Sequence, residues 1–262
     1  MSTLPDLFLE KLVAQFDNEN TVGIMFSGSF ARNEGGPYSD IDLWQYVREI
    51  PADETEQLSL RFIAGYMVGI KLTTLEKEYS GMQNPEQAIW VIPGLRQASI
   101  LLDKDGSLAT IKETAAKATW EPLQFAANAN ASWTLSTTAE EVYKILSGLA
   151  RQDESKTIYA IWGLTRGLAN ALLIQRGILV PTENAFFDLA QATAGGTSDW
   201  THQFRLATGL DHLSKKEPAY IVRGVASCRL YCETARLLHN ILLPNDASIV
   251  TQTLAIIAEA GY

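Results

Sequence analysis

Cysteine is nearly missing from this chain: Cys228 and Cys232 are its only two among 262 residues. Four apart on an expected helix, they share a face, but that spacing is no redox motif. With only His202, His212 and His239 to add, none at a metal-binding spacing, it makes no zinc site either. Both thiols read as buried apolar residues. Long apolar runs are also lacking. No stretch reaches about eighteen uninterrupted apolar residues, and no basic segment followed by an apolar one opens the sequence. The expectation is a soluble, cytoplasmic protein with no membrane partner. Positive charge is scarce: 21 Lys and Arg face 30 Asp and Glu, for a formal net charge of −9. Binding to a phosphate backbone rests on Lys and Arg, so a nucleic-acid partner is not expected. An acidic chain suits a small cationic substrate better. The 47% hydrophobic content is ample for buried cores in one large domain or two modest ones.

The order of patterns along the chain predicts an α+β protein. Pro5 to Phe16 has Leu7, Phe8, Leu12, Val13 and Phe16 at helical spacing, with Asp6 and Glu10 near its start. Val22 to Ser27 reads as a strand, followed by a short helix, then a second strand from Ile41 to Val47 ended by Arg48-Glu49 and Pro51. Thr55 to Phe62 suits a helical segment and Tyr66 to Thr74 a strand. Ile89 to Ile92 and Ala98 to Leu102 are further apolar runs separated by Pro93-Gly94, and Asp103 to Gly106 is a turn. From Ser107 onward the texture is helical: Ser107 to Lys117, Thr138 to Leu149, Thr157 to Gln175 (ended by Gly177), Phe186 to Ala194, Pro218 to Leu243 and Ala247 to Ala260. The organisation expected is a mixed β-sheet domain with flanking helices over residues 1–120, and an all-helical domain over 121–262. The boundary falls within about 118–130.

One stretch carries chemistry. Met25-Phe26-Ser27-Gly28-Ser29-Phe30-Ala31-Arg32 leads through a short loop to Asp40-Ile41-Asp42-Leu43. If a strand begins at Asp40, both carboxylates point to one face, because strand side chains alternate. Two like charges side by side are costly unless neutralised. Mg2+ does this well, being a hard cation often shared between carboxylates and substrate phosphates. The Gly-Ser turn offers backbone N–H groups and a hydroxyl to a phosphate.

Gly28-Ser29, a ten-residue gap and Asp40-Ile41-Asp42-Leu43 resemble the signature of the DNA polymerase beta-like nucleotidyltransferase superfamily. Within it, Gly28-Ser29-Phe30-Ala31-Arg32 and Tyr38-Ser39-Asp40-Ile41-Asp42 are similar to the antibiotic adenylyltransferases of the lincosamide and streptomycin branches, and Leu101 to Asp105 resembles a late strand and turn of the latter. The resemblance implies an N-terminal nucleotidyltransferase domain and a helical substrate-binding domain. It implies ATP as substrate, Mg2+ on Asp40 and Asp42, and AMP transfer to a hydroxyl of a small molecule such as an aminoglycoside-like antibiotic. In such enzymes two metals about 4 Å apart hold the attacking and leaving oxygens, and a third carboxylate on a neighbouring strand helps hold one of them. Here the streptomycin pattern Gly-x-Lys-apolar-Asp meets Gly69-Ile70-Lys71-Leu72-Thr73, and the lincosamide pattern Gly-x-Glu meets Lys71. Neither alignment supplies the acid. Glu76 or Glu78 swinging in, a single-metal mechanism, a base from the helical half, and a nucleotide-binding regulatory protein without transfer all follow as alternatives; modification of a protein partner is a further one.

The remaining candidates follow from the same resemblance. Ser29 and Arg32 face the triphosphate, though Arg32 also has Glu34 within reach. Glu140 or Glu141 is the candidate base, with Glu141 the preferred one. Lys144, Arg151 and Lys156 are candidate nucleotide contacts, with Lys144 also spaced to pair with Glu140. Trp133 and Trp162 are expected in the core.

Overall fold

Phe8, Leu12 and Phe16 form the buried stripe of helix α1 (Phe8–Phe16) in a computed structural model that describes residues 4–5, 7–50, 58–212 and 217–262. Asp6, Pro51 and Thr55 to Gln57 of the expectations above lie outside the described residues. The stripe packs on Ile24 and Phe26 of β1 (Thr21–Ser27), Ile41 and Leu43 of β2 (Ile41–Val47), and Val68 and Ile70 of β4 (Tyr66–Thr73). Each such side chain contributes roughly 1.5–3 kcal/mol by leaving water. Buried Gln45 ties the end of α1 to the sheet, donating to the Phe16 carbonyl at 2.7 Å and to Thr21 Oγ1 at 2.9 Å.

The sheet has five strands in the order β3-β4-β2-β1-β5, with β3 at Leu58–Ile63 and β5 at Ser99–Asp103. Among the described residues β2 and β4 run parallel and the other three pairs antiparallel. Short helix α2 (Gly28–Ala31) follows β1. Helices α3 (Leu75–Gln83), α4 (Pro85–Gln97) and α5 (Ser107–Lys117) complete this part of the chain. The chain divides into two compact units, Met1–Thr119 and Trp120–Tyr262. The second is helical: α6 (Gln124–Thr137), α7 (Ala139–Arg151), α8 (Glu154–Arg176), α9 (Phe186–Ala194), α10 (Asp199–Thr208), α11 (Ala219–Leu238) and α12 (Pro244–Glu259). The architecture is α+β, a mixed sheet with flanking helices followed by a helical region.

Helix α8 is long and apolar enough to span a membrane by length and composition, but 61% of that window is buried within the protein, as in the core helix of a bundle. Gly177 ends it at φ 64°. Cys228 lies buried on α11 and Cys232 half-buried; burial pushes the Cys228 thiol up to about 12.

Three expectations need correction. Leu58 to Phe62 is strand, not helix. Leu58, Leu60 and Phe62 alternate with Ser59, Arg61 and Ile63, and a two-residue turn at Ala64 (φ 51°) and Gly65 (φ 87°) folds β3 back onto β4 with Ile63 opposite Tyr66. Two central residues with positive φ match a right-handed strand twist. Second, Ile89 to Ile92 is helical, and Pro93-Gly94 does not break the chain there. Asn84 caps α4 by accepting from Glu86 N–H at 3.0 Å, Pro85 sits where its missing N–H costs nothing, and Ile89, Ile92 and Leu95 share the buried face. Third, Trp133 and Trp162 are 58% and 62% exposed, so neither is a core residue.

Ala64 holds a backbone conformation that a Cβ disfavours. Ala64→Gly or Ala64→Asn should therefore raise stability by about 0.5–1 kcal/mol in denaturant melts.

Candidate functional site

Asp42 takes its place from the register of three strands. It lies opposite Ser27 of β1 and opposite Gly69 of β4, so the second residue of β2 is flanked on both sides. On the β1 side the chain turns at once: Gly28 has φ 76°, and a side chain there would run into the Asp42 carboxylate. Glycine is therefore required twice over, for the turn and for the approach. On the β4 side a Cβ on residue 69 would lie 3.5 Å from Asp42 Oδ1 and 3.6 Å from Leu60 Cδ2, ordinary contact distances. Packing does not demand a glycine here; its effect is a notch beside the carboxylate.

Asp40 sits immediately before β2, half-buried like Asp42. Burial raises the Asp42 pKa above the usual carboxylate range, the Asp40 charge raises it further, and the Arg32 guanidinium pulls it back. The Asp40 charge is thus held close enough to oppose the ionisation of Asp42. Arg32 follows α2 and donates Nε–H to Glu34 Oε2 at 2.8 Å, with 17% of its side chain exposed. It is therefore paired with Glu34 and also close enough to act on Asp42. The loop between them is fixed locally: Glu34 N–H donates to the Ser29 carbonyl at 2.8 Å and Gly36 N–H to Ser39 Oγ at 2.9 Å.

The register also decides the third ligand position. Thr73 lies opposite Tyr46, four residues beyond Asp42, or about 13 Å along the strand. It is buried and donates to Glu78 Oε1 at 2.7 Å. Lys71, opposite Trp44, is nearer; its ammonium lies 4.9 Å from the Trp44 ring centroid and 2.8 Å from Glu78 Oε1. Glu78 is 2% exposed and committed to these two partners, and the Tyr46 hydroxyl beside them is held protonated by burial and then by the Glu78 charge. Glu76 is exposed. The residue directly across from Asp42 is Gly69, and among the described residues no group of three or more His, Cys, Asp or Glu forms a metal cluster.

In the helical unit, α7 carries the other candidates. Lys144 Nζ bonds Glu141 Oε1 at 2.8 Å and Glu140 Oε1 at 2.9 Å, hydrogen bonds that raise the Lys144 pKa. Glu141 packs against Gly163 of α8, and its Oε2 is buried without a hydrogen-bond partner. Arg151 is exposed in the last turn of α7, and Lys156 donates to Ser147 Oγ at 2.9 Å. So Gly28, Ser29, Arg32, Asp40 and Asp42 come together around β1, α2 and β2, and within the helical unit Lys144 pairs with Glu140 and Glu141. Gly69 is the site residue that sequence reasoning missed as such. Its signal was positional, visible only once β4 is registered against β2.

No protein-family model matches the chain, and no curated protein matches it by sequence. Among solved structures it is similar to a nucleotidyltransferase-like protein from Exiguobacterium sibiricum 255-15. The likeness covers 88% of this chain and 73% of that one at a TM-score of 0.50 and 12% identity. At that identity the likeness is one of fold, and the fold it shares is that of a nucleotidyltransferase-like protein.

The Asp42 carboxylate gives a signed test. Its pKa is raised in the folded state, so its charge destabilises the fold above that pKa; the cost is relieved as pH falls through it and is gone below about 3.8. Asp42→Asn should therefore be more stable than the wild type at pH 7 in metal-free buffer, and the difference should shrink toward pH 4. Solvent screening of a half-buried group keeps the gain small, read as a modest rise in Tm by scanning calorimetry.

Proposed function

We propose that this chain is an Mg2+-dependent nucleotidyltransferase that moves AMP from ATP to a hydroxyl of a small molecule of the antibiotic type, aminoglycosides being the class its sequence resembles. The observation that carries the reading is the Asp42 carboxylate, seated between Gly28 and Gly69 with Asp40 beside it. Two adjacent carboxylates fit a divalent cation, because a cation compensates the lost hydration and then the Asp40 repulsion that raise the Asp42 pKa. Asp40 and Asp42 would hold Mg2+, which supplies charge neutralisation at the reacting phosphate. Gly28 and Ser29 line the phosphate side, with Arg32 adding a positive charge. In the reaction the acceptor oxygen bonds to the α-phosphorus, the bond from that phosphorus to the bridging oxygen of pyrophosphate breaks, and the hydroxyl proton is lost to water.

A second reading is favoured by one observation: a glycine faces Asp42 where a third carboxylate would complete a two-metal set. That reading is a nucleotide-binding regulatory protein with weak or lost transfer. Thr73→Asp would not discriminate the two, since Thr73 is buried against Glu78 and far from Asp42. Gly69→Asp does, because the notch has room for a Cβ.

Incubation with ATP labelled at the α-phosphate, with small hydroxylated antibiotics and cell-lysate protein in parallel, should place label on a small molecule and lose it in EDTA. Binding without any transfer by the wild type, with transfer gained in Gly69→Asp, would establish the regulatory reading instead; label on protein would establish a protein-modifying enzyme.

A further inference from the structure

The edge of the sheet next to the Gly69 notch is apolar and open. In the β3–β4 pairing Leu58 lies opposite Lys71, Leu60 opposite Gly69 and Phe62 opposite Met67. Gly69 in turn lies opposite Asp42, so these residues share the face that carries the carboxylate. The other face of β3 is accounted for: Arg61 lies over the Phe16 ring at 5.5 Å and Ile63 packs on the α1 core. On the Asp42 face, Leu58 is 66%, Leu60 65%, Phe62 81% and Met67 36% exposed. Edge strands ordinarily carry charge or proline to discourage contact. A contiguous exposed apolar strip of this kind marks a place where something binds. It begins across the notch from the Asp42 carboxylate, since Leu60 Cδ2 and Asp42 Oδ1 both border the position of the missing Gly69 side chain.

We propose that Leu58, Leu60, Phe62 and Met67 form the acceptor subsite, and that the acceptor is a hydroxyl-bearing molecule with an aliphatic or aromatic face rather than a polycationic sugar. The inference rests on the nucleotidyl-transfer reading and narrows its substrate class. In-line displacement puts the attacking oxygen and the leaving pyrophosphate on opposite sides of the α-phosphorus. The phosphate-binding turn is on the β1 side of Asp42, so the acceptor arrives from the β4 side, through the Gly69 notch. Its body then lies on Leu60 and Phe62. Lys71 bounds the strip with a cation, and its partner Glu78 is buried and already bonded to Lys71 and Thr73. Asp42, the carboxylate that borders the strip, is taken up by Mg2+ in the nucleotidyl-transfer reading, so a polyamine laid here would lose hydration and gain no free anion.

The test uses the full chain with 13C-labelled Leu and Met methyl groups. Octyl β-D-glucoside below its micelle concentration, methyl β-D-glucoside and kanamycin are titrated separately, and an ATP analogue with Mg2+ is titrated by calorimetry on the same samples. The octyl glucoside should shift the Leu60 and Met67 methyl signals saturably, while the methyl glucoside and kanamycin leave them in place. The exposed double variant Leu60→Ser/Phe62→Ser should weaken the octyl probe about tenfold. Kanamycin binding the strip as tightly as the octyl probe, silence of these methyls, or undiminished affinity in the double variant would overturn the subsite. Nucleotide binding retained with a silent strip defeats the subsite alone; nucleotide binding lost with a responsive strip defeats the transfer reading and with it the acceptor role.

Discussion

The first unit is arranged around the cost of keeping two carboxylates together. Asp42 is partly withdrawn from water, and the Asp40 charge beside it opposes its ionisation further. A fold tolerates such a cost where the site is used. Here the neighbours of Asp42 are small on both flanks, a turning glycine after β1 and an unhindered one on β4. The opposite face of the same strands is filled by Phe8, Leu12, Phe16, Ile24 and Phe26, which supply the burial that offsets it. The sheet thus has a stabilising face and a chemical face, separated by the alternation of side chains along each strand.

The chemical face is graded along its strands. Toward the far end of β2 and β4 it is closed: Trp44 lies beneath Lys71, and Tyr46, Thr73 and Glu78 are buried together. At the near end it is open, with the carboxylates, the notch at Gly69 and the apolar strip of β3 in sequence. Lys71 marks the border. Its charge is held by Glu78 and the Trp44 ring, which keeps an ammonium that would repel a cation directed toward the buried end.

Much of this was legible in the sequence because it is local. The apolar run Val22 to Ser27, the Gly-Ser turn and the alternation from Ile41 to Val47 fix β1, α2 and β2 within a residue or so. The long helices announced themselves by periodicity. What stayed hidden depends on register or on weak patterns. Aligning Gly69 to Thr73 by motif pointed to Lys71 and Thr73 as the third ligand position, whereas strand pairing sets Gly69 against Asp42. The alternation from Leu58 to Ile63 is present, but it is short and reads as part of a helical segment from Thr55 to Phe62. Helix α6, rich in Ala, Asn, Ser and Thr, has little amphipathic signal, and Pro93 disguised α4 although a capping Asn84 and Pro85 marked its start. Exposure of Trp133 and Trp162 could not be read from residue type at all.

The central claim is that Asp40 and Asp42 form a cation-dependent nucleotide site, and calorimetric titration with a non-hydrolysable ATP analogue tests it most directly. Binding should require Mg2+, disappear in EDTA, and be lost when either Asp40 or Asp42 is replaced by Asn. Equal affinity with and without the metal, or undiminished affinity in both variants, would contradict the account.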